Sequence, residues 1–284
     1  MNIPSDKFPS DYDAGESDNT SAGGGDAPSE GLRVAITGGT SGLGLSLVRE
    51  FLSRGAHVAF VARTAERVRR VAEENPGAHG IVGDVSSKDD IYPIALQVAG
   101  ELGGLDVLVN NASDLGPVPL AMLSDTECED LERAFATNVL GPFRLTKALM
   151  GALAASAREG RGAVVLNVVS DAAFNAYPTW GAYGASKAAL HQLSRVWDEE
   201  HAADGVRFLS LDPGDMDTPM HAAAIPDADT STLKRPEDAA RELIDAIAAA
   251  LPGREAHAAP SPSVNESIQD SFQESTKEPE GVLA

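Results

Sequence analysis

Three side chains in the second half of the sequence have the types and the spacing of an acid–base site. Ser170 is followed by Tyr183 and then, within the stretch YGASK, by Lys187. Residues four apart lie on one face of a helix, so the Lys187 ammonium can approach the Tyr183 phenol. A phenol ordinarily has a pKa of about 10, and a positive charge nearby lowers that pKa by favouring the phenolate. We therefore expect Tyr183 to exchange protons with its pKa lowered by Lys187.

A glycine-rich stretch near the start of the chain, ITGGTSGLG at 36–44, precedes a helix-like segment. The free N–H groups of a helix N-terminus bind phosphate, and a side chain at Gly42 or Gly44 would hold a pyrophosphate or the helix away. The spacing G-x-x-x-G-x-G differs from the usual G-x-G-x-x-G, and a simple chain reversal also uses glycines. The stretch predicts a dinucleotide site with contacts from Gly38, Thr40, Ser41, Gly42, Leu43 and Gly44.

The elements that would position these residues alternate between short apolar runs and amphipathic stretches. Six runs are apolar almost without interruption, as strands buried on both faces are: RVAITGG, HVAFVAR, GIVGDV, LDVLVNNA, AVVLNVVS and VRFLSLDPG. Helical stretches separate them at about 41–54, 64–74, 88–103, 127–157, 183–203 and 236–251. This repetition predicts an α/β fold with one doubly wound parallel sheet, helices on both faces and ligands at the carboxyl ends of the strands.

Polar residues stand at those strand ends. Asp84 and Val85 follow the third run in GDVS, where Asp84 would contact an adenine ring or simply cap a turn. Asn111 belongs to NNAS after the fourth run, and Asn138 lies within a predicted helix. The segment DPGDMDT follows the sixth run and contributes Pro213, Gly214 and Thr218 to the expected cofactor site.

Taken in order, the glycine loop, the NNAS turn, Asn138, Ser170 and the YGASK segment resemble the short-chain dehydrogenase/reductase family, in its compact single-domain branch. The resemblance covers about residues 31–251 and implies a Rossmann-type fold that transfers hydride between NAD(P) and a carbonyl or alcohol group. Ser170 would then hydrogen-bond to the carbonyl oxygen, Tyr183 would be the general acid or base, and Lys187 would also reach the cofactor ribose. Asn138 would hold a water that relays protons to Lys187.

The end of the second apolar run, HVAFVARTAERV, bears on the choice of cofactor. Ala62 stands where an acid would bind the ribose 2′-hydroxyl of NAD, and Arg63 follows it. A guanidinium binds a 2′-phosphate, and no carboxylate is there to repel one, which favours NADP(H) over NAD. The alternative is that Arg63 is only a surface charge. Ser41 also occupies a position where many NADP-dependent members carry a base.

Composition excludes several classes of protein. Of the 284 residues, we expect 31–251 to form one domain, and the segments 1–30 and 252–284, rich in Ser, Gly, Pro and acids, to be disordered. The formal charge of −21 argues against nucleic acid and anionic membranes as partners. The single cysteine, Cys128, forms no disulfide within the chain, and the sequence has no signal-like or membrane-spanning apolar segment. We expect a cytoplasmic protein, and no metal site is predicted.

The expected substrate pocket is mostly apolar, with a small lid in the loop at 216–234. Its candidate residues are Leu115, Phe174, Tyr177, Trp180, Met216 and Met220. Asp114 and Asp171 would disfavour an anionic substrate if they face this pocket.

A homodimer or homotetramer is expected from two of the helical stretches. Those at 127–157 and 183–203 carry apolar residues beyond one core-facing stripe, and the family resemblance implies that these helices pair across a two-fold axis. The apolar residues in question are Phe135, Leu145, Leu149, Leu190, Leu193 and Trp197.

The sequence also departs from the family pattern, and alternatives remain. NNAS replaces Asn-Asn-Ala-Gly and brings the Ser113 hydroxyl near the site, while DPG replaces Asn-Pro-Gly and makes Asp212 an extra charge or a strand-end cap. The family's closing strand would follow residue 251, where REAHAAPS matches it poorly. Besides a reductase, the chain could be a dinucleotide-binding sensor or scaffold, against which the Ser-Tyr-Lys set argues. A sugar-nucleotide epimerase would need a larger substrate domain.

Overall fold

A computed structural model describes Ser29 and residues 31–252 of the chain. The segments 1–30 and 252–284, for which disorder is expected, lie outside these residues apart from Ser29 and Pro252, as does the position of a closing strand. Among the described residues, no helix combines the length and the apolar character needed to cross a membrane.

Six parallel strands form one sheet. They are β1 (Arg33–Thr37), β2 (His57–Ala62), β3 (Ala78–Val82), β4 (Val107–Asn110), β5 (Ala163–Val168) and β6 (Val206–Leu211). The strand order is β3-β2-β1-β4-β5-β6, and each neighbouring pair is parallel. The direction of winding reverses between β1 and β4, so a crevice opens there at the carboxyl edge of the sheet.

Helices cover both faces of this sheet, which confirms the predicted doubly wound fold. They are α1 (Gly42–Ser53), α2 (Ala65–Glu74), α3 (Ile91–Leu102), α4 (Cys128–Phe135), α5 (Gly141–Arg158), α6 (Gly181–His201), α7 (Pro219–Ala224) and α8 (Pro236–Ala250). One face packs on α1, α2 and α8, and the other on α3, α5 and α6. Successive strand residues point to opposite faces, so Ile36 enters the first core and Ala35 the second. This need for two cores explains the uninterrupted apolar runs.

The helix predicted over 127–157 is not continuous. A π-helical turn, Ala136–Leu140, separates α4 from α5. Pro142 lies just beyond it and has no N–H to donate to the carbonyl four residues earlier, which is that of Asn138. The regular α-helical ladder therefore cannot pass through this point, and the wider turn carries Asn138 inward, where it is completely buried.

The loop predicted over 216–234 contains the short helix α7. Thr218 begins it by accepting a hydrogen bond from the His221 N–H at 3.2 Å. The ends of this segment are held together, because Lys234 and Asp215 pair through the backbone at 2.9 Å beside a bridge between Met216 and Lys234. The two ends of the lid segment are therefore held together next to the end of β6.

The amino edge of the sheet is held by a buried charge cluster. Asp106 precedes β4, is fully buried, and lies 2.7 Å from nitrogens of both Arg33 and Arg161. Ser156 of α5 donates a further hydrogen bond to it. Burial alone would raise the pKa of Asp106, but the hydrogen bonds from Arg161, Arg33 and Ser156 outweigh that effect and hold the pKa well below its usual range.

The residues proposed to face a second copy of the chain are mostly used in the core. Leu145, Leu149 and Leu190 are 1–2% exposed, so these three are unavailable for an interface. Trp197 stacks on Phe208 with ring centres 5.6 Å apart, while Phe135 and Leu193 are partly buried. The apolar side chains that do reach solvent on α4, the π-helical turn, α5 and α6 are Leu131, Leu140, Phe143 and Val196.

Candidate active site

A cavity of about 560 Å³ follows the carboxyl edge of the sheet. It is lined by Ser170, Tyr183 and Lys187, which come from the end of β5 and the first two turns of α6. It is also lined by each predicted cofactor contact, namely Gly38, Thr40, Ser41, Gly42, Leu43, Gly44, Arg63, Asp84, Val85, Asn111, Pro213, Gly214 and Thr218. Asn138 is the one predicted catalytic or cofactor-binding residue that does not line it. The folded sheet therefore brings all but one of these residues into a single crevice.

The glycine loop has the shape that a pyrophosphate requires. Gly38 and Gly42 have φ values of +73° and +49°, in the left-handed region that residues with a Cβ rarely adopt. A Cβ at Gly44 would lie 2.2 Å from the Gly38 carbonyl oxygen, so only glycine fits. No side chain caps the first turn of α1, which leaves its N–H groups directed at the cavity for an anion. These features fit a dinucleotide cofactor.

Asn111 and Thr37 fasten this loop to the centre of the sheet. The Asn111 amide donates to the Thr37 carbonyl at 2.9 Å, and the N–H groups of Asn111 and Ala112 donate to the Thr37 hydroxyl at 3.0 Å. Thr37 is buried at the end of β1 and was not identified from the sequence. These bonds hold the ends of β1 and β4 together at the switch point.

Asp84 lies at the cavity in the position expected of an adenine contact, but its carboxylate is also engaged in a turn. Its Oδ1 accepts hydrogen bonds from the N–H and the hydroxyl of Ser86 at 2.9 and 2.7 Å. Its N–H donates to Asp90 at 2.9 Å. The turn-capping role is thus present in the structure in a residue that also lines the cavity.

The end of β2 brings two arginines to the far end of the cavity. Ala62 and Arg63 line it, as does Arg67 one helical turn further on, at the start of α2. Within residues 31–252, neither arginine is in an ion pair, whereas Arg69 and Arg70 pair with Glu73 and Glu74. From the sequence Arg67 is an ordinary surface charge, and its place in the cavity was not predicted.

Tyr183 and Lys187 lie close together as their spacing predicts, but the pKa of Tyr183 moves opposite to expectation. The Lys187 ammonium lies 5.4 Å from the centre of the Tyr183 ring and donates to the Val168 carbonyl at 2.8 Å. Burial lowers the pKa of Lys187 to about 7, and burial raises the pKa of Tyr183 to about 12, partly opposed by hydrogen bonding to Ser170. Desolvation disfavours the charged form of each group. The expected lowering of the Tyr183 pKa by Lys187 is not observed.

The side chain of Asn138 makes its full set of hydrogen bonds within the protein. Its Oδ1 accepts from the Asp114 N–H at 2.8 Å and the Ser113 hydroxyl at 3.2 Å. Its Nδ2 donates to the Asp114 carbonyl and the Ser186 hydroxyl, both at 2.8 Å. A carboxamide has two donors and two acceptor lone pairs, so the side chain has no group left for a water. Asn138 ties the NNAS turn to α6, and any water held by this residue must bind its backbone.

The wall beyond Ser170 is more acidic and less apolar than the sequence indicates. Five of the six predicted pocket residues line the cavity: Leu115, Tyr177, Trp180, Met216 and Met220. Phe174 does not, because it turns outward, 61% exposed, and packs edge-on against His191. Asp114 also lies outside, 3.4 Å from the Arg133 guanidinium. The carboxylates in this wall of the cavity are Asp171, Asp212 and Asp215.

Comparison with known proteins agrees with this geometry. A family model described as short chain dehydrogenase matches residues 33–229, which is more than half of the chain. The chain belongs to the short-chain dehydrogenase family. This is an oxidoreductase family whose members act with NAD or NADP, and its identification confirms the resemblance drawn from the Ser-Tyr-Lys spacing.

Individual short-chain dehydrogenases show the range of the likeness. An uncharacterized oxidoreductase of Mycobacterium bovis is 35% identical over 77% of this chain and 64% of its own length, so the chain spans less than two thirds of that relative. The 2-(R)-hydroxypropyl-CoM dehydrogenase of Xanthobacter autotrophicus is 33% identical over 66% of this chain and 76% of its own. A 3-ketoacyl-(acyl-carrier-protein) reductase from Brucella melitensis, solved with NADH, gives a TM-score of 0.71 at 28% identity, covering 76% of this chain and 90% of that one.

A second solved relative holds the other nucleotide. The short-chain dehydrogenase from Shigella flexneri, complexed with NADP, gives a TM-score of 0.69 at 25% identity over 75% of this chain and 90% of that one. Relatives of this fold therefore bind either cofactor, and the choice in this chain depends on its own residues.

Proposed function

We propose that the protein is an NADP-dependent reductase of ketones or aldehydes, or the corresponding alcohol dehydrogenase, with Tyr183 as general acid or base. The observation that carries the proposal is the meeting of Ser170, Tyr183 and Lys187 in the cavity that contains the glycine loop. Reduction of a carbonyl needs a hydride at carbon and a proton at the adjacent oxygen, so both sources must face one space. Bound NADPH would supply the hydride.

The protonation states support reduction as the direction in which Tyr183 acts directly. With a pKa of about 12, the phenol keeps its proton at neutral pH, and the alkoxide formed by hydride transfer is a strong enough base to take it. The Ser170 hydroxyl donates to Asp171 in this structure and would turn toward the substrate to hydrogen-bond to the same developing oxyanion. The phenolate left behind is buried, and a protonated Lys187 nearby stabilises it. With a pKa of about 7, Lys187 exchanges its own proton readily at neutral pH.

Preference for NADP rests on the residues after β2. Ala62 presents no carboxylate to repel a 2′-phosphate, and Arg63 and Arg67 supply two guanidinium groups at the same end of the cavity. A guanidinium group binds a phosphate through two parallel hydrogen bonds. NAD has no 2′-phosphate and so cannot form them. The remaining cofactor contacts would be the glycine loop for the pyrophosphate and Lys187 for the ribose nearest the catalytic centre.

Exposed apolar side chains on α4, α5 and α6 support association into a homodimer or homotetramer. Leu131, Phe143 and Val196 are 37–43% exposed on the surface where the family resemblance implies pairing. Light scattering at micromolar concentration tests this, and a monomer would contradict it.

Turnover and binding measured together test the proposed activity. NADPH oxidation is followed with a panel of aldehydes, ketones, diketones and quinones, while NADPH and NADH affinities are measured by calorimetry. We expect turnover of at least one carbonyl class and tighter binding of NADPH. Tight NADPH binding with no turnover of any substrate, in both directions, would instead favour the non-catalytic sensor or scaffold.

A further inference from the structure

The catalytic end of the cavity carries three carboxylates. Asp171 follows Ser170 directly at the end of β5, and Asp212 and Asp215 follow β6, the neighbouring strand. All three line the cavity together with Tyr183, which is nine-tenths buried and positioned for proton transfer. The carboxylates therefore face the same space as the reacting atoms of a substrate.

These carboxylates have no ion-pair partner among the described residues, and Lys187, the buried lysine whose pKa Asp212 raises, is hydrogen-bonded to the Val168 carbonyl instead. Within residues 31–252, Asp171, Asp212 and Asp215 are in no ion pair, whereas Asp114 just outside the cavity is paired with Arg133 and Lys234 is engaged by Glu242 at 2.7 Å. The hydrogen-bond donors that reach Asp171 and Asp212 are neutral. The Tyr177 and Ser170 hydroxyls donate to Asp171 at 2.6 and 3.1 Å, and the Gly214 N–H donates to Asp212 at 2.9 Å.

The cations at the other end of the cavity are too distant to balance this charge. Arg63 and Arg67 follow β2, which lies four strands from β6, a separation of about 19 Å at about 4.8 Å per strand. That distance exceeds the Debye length of about 8 Å at physiological ionic strength. Burial together with the charges of Asp171 and Asp215 raises the pKa of Asp212, as expected for acids that share one site without a counter-charge.

Aromatic rings complete the acidic wall. Tyr177 and Trp180 line the cavity beside Asp171, and Trp180 packs edge-on against Tyr183 with ring centres 5.7 Å apart. The hydrogen bond from the Tyr177 hydroxyl to Asp171 makes its ring richer in electrons. Electron-rich ring faces attract cations, and an ammonium between such faces and carboxylates is stabilised by both.

We propose that the substrate is a carbonyl compound, or its alcohol, that carries an ammonium group close to the reacting carbon. This inference rests on the proposed reductase function and adds the class of substrate. The carboxylates of Asp171, Asp212 and Asp215 supply the charge, and Tyr177 and Trp180 supply the aromatic surface. The same carboxylates repel anionic substrates.

Three aryl ketones that share one skeleton test the proposal. They end in a trimethylammonium group, in a tert-butyl group of the same shape, and in a carboxylate. Using the NADPH-loaded protein, we expect kcat/KM to be about 10- to 100-fold higher for the ammonium ketone than for the tert-butyl ketone, and lowest for the carboxylate. The preference should fall as salt is added. Equal or better use of the tert-butyl ketone would overturn the proposal.

Charge-removing variants connect any preference to these residues. Asp215→Asn and, separately, Asp171→Asn should each reduce the ratio of kcat/KM between the ammonium and tert-butyl ketones several-fold. Asp89→Asn removes the same charge at an exposed position outside the cavity and should leave the ratio unchanged. A ratio that is equal in all three variants and the original protein would refute the assignment to the acidic wall.

Binding measurements separate this inference from the proposed reaction. If none of the ketones is reduced, their affinities for the NADPH-loaded protein are measured by calorimetry. Tighter binding of the ammonium ketone, lost in Asp215→Asn, would support the substrate class although the reductase activity had failed. Absence of binding, or equal binding of the ammonium and tert-butyl ketones, would overturn the substrate class itself.

Discussion

Asp106 and Asp212 stand at opposite edges of the same sheet, and their surroundings are opposite in kind. Asp106 precedes β4 at the amino edge, where two arginines and Ser156 satisfy a fully buried carboxylate. Asp212 follows β6 at the carboxyl edge, where burial and the charges of Asp171 and Asp215 raise its pKa. One carboxylate is stabilised in its ionised form by its neighbours, and the other is destabilised.

This difference indicates that the amino edge of the sheet stabilises the fold and that the carboxyl edge carries the function. Fully paired charges at the amino edge connect the starts of β1, β4 and β5 to the end of α5. At the carboxyl edge the unpaired acids, the buried lysine and the uncapped first turn of α1 each carry a cost in folding stability that a ligand can offset. If this division is correct, substitutions at the two edges should affect different measurements.

The largest effect is expected from Tyr183→Phe, at the functional edge. Removing the hydroxyl eliminates proton donation and should lower kcat by about 10²- to 10⁴-fold, the usual contribution of general acid catalysis. NADPH affinity and the melting temperature should change little, because the ring and Lys187 remain. Tyr92→Phe is the matched control, since it removes an exposed phenol outside the cavity. A Tyr183→Phe protein that keeps more than about a tenth of kcat would contradict the mechanism.

At the stabilising edge, Asp106→Asn should lower the free energy of unfolding in urea. Loss of one partner of a buried ion pair costs about 3–5 kcal/mol, and the lower figure is expected because Arg33 and Arg161 reach solvent. The folded-state pKa of Asp106 lies below its ordinary value of 3.8, so its contribution is complete above that pH and is lost as the pH falls below it. The variant should lose this part of the acid dependence.

Asp212→Asn is the counterpart of that experiment. It relieves repulsion among acids and keeps an oxygen for the Gly214 N–H, so the unfolding free energy should stay constant or rise. Equal destabilisation by the two substitutions would remove the distinction between the edges.

Ala62→Asp should change the choice of cofactor without changing stability. A carboxylate beside the 2′-phosphate site repels NADPH and accepts the ribose hydroxyl of NADH. We expect the NADP-to-NAD ratio of kcat/KM to fall about 10- to 100-fold, the effect of losing one charge-assisted contact. Arg69→Ala, which removes a charge from the exposed side of α2, serves as the control. An unchanged ratio would show that the end of β2 does not determine the preference between NADP and NAD.

The smallest effect is expected in the pH dependence. Asp212 raises the pKa of both Lys187 and Tyr183, so Asp212→Asn should move the pH breaks in kcat/KM for the reduction downward, by less than about one unit. The break for Lys187 is expected near pH 7 in the original protein, with activity falling as the lysine loses its proton. An upward movement in the variant would contradict the sign of the Asp212 effect.

Local patterns in the sequence were enough for the fold and for most of the site. The glycine loop, the apolar runs and the Tyr183 to Lys187 spacing each reflect constraints within a few residues, because positive φ, strand burial and helical periodicity are local properties. They predicted the parallel sheet, the family and the residues that line the cavity. The π-helical turn at Asn138, which this reasoning missed, was signalled by Pro142.

Partners and electrostatics could not be predicted in this way, because they depend on segments far apart in the chain. Asn138 meets Asp114 and Ser186 only after α4, β4 and α6 pack together, and that packing saturates its carboxamide. Lys187 has its pKa lowered by the protein that closes over it, a quantity that no sequence spacing contains. The acidic wall likewise forms because β5 and β6 are neighbours. Burial and charge proximity arise from packing in three dimensions, so the tertiary structure alone decided them.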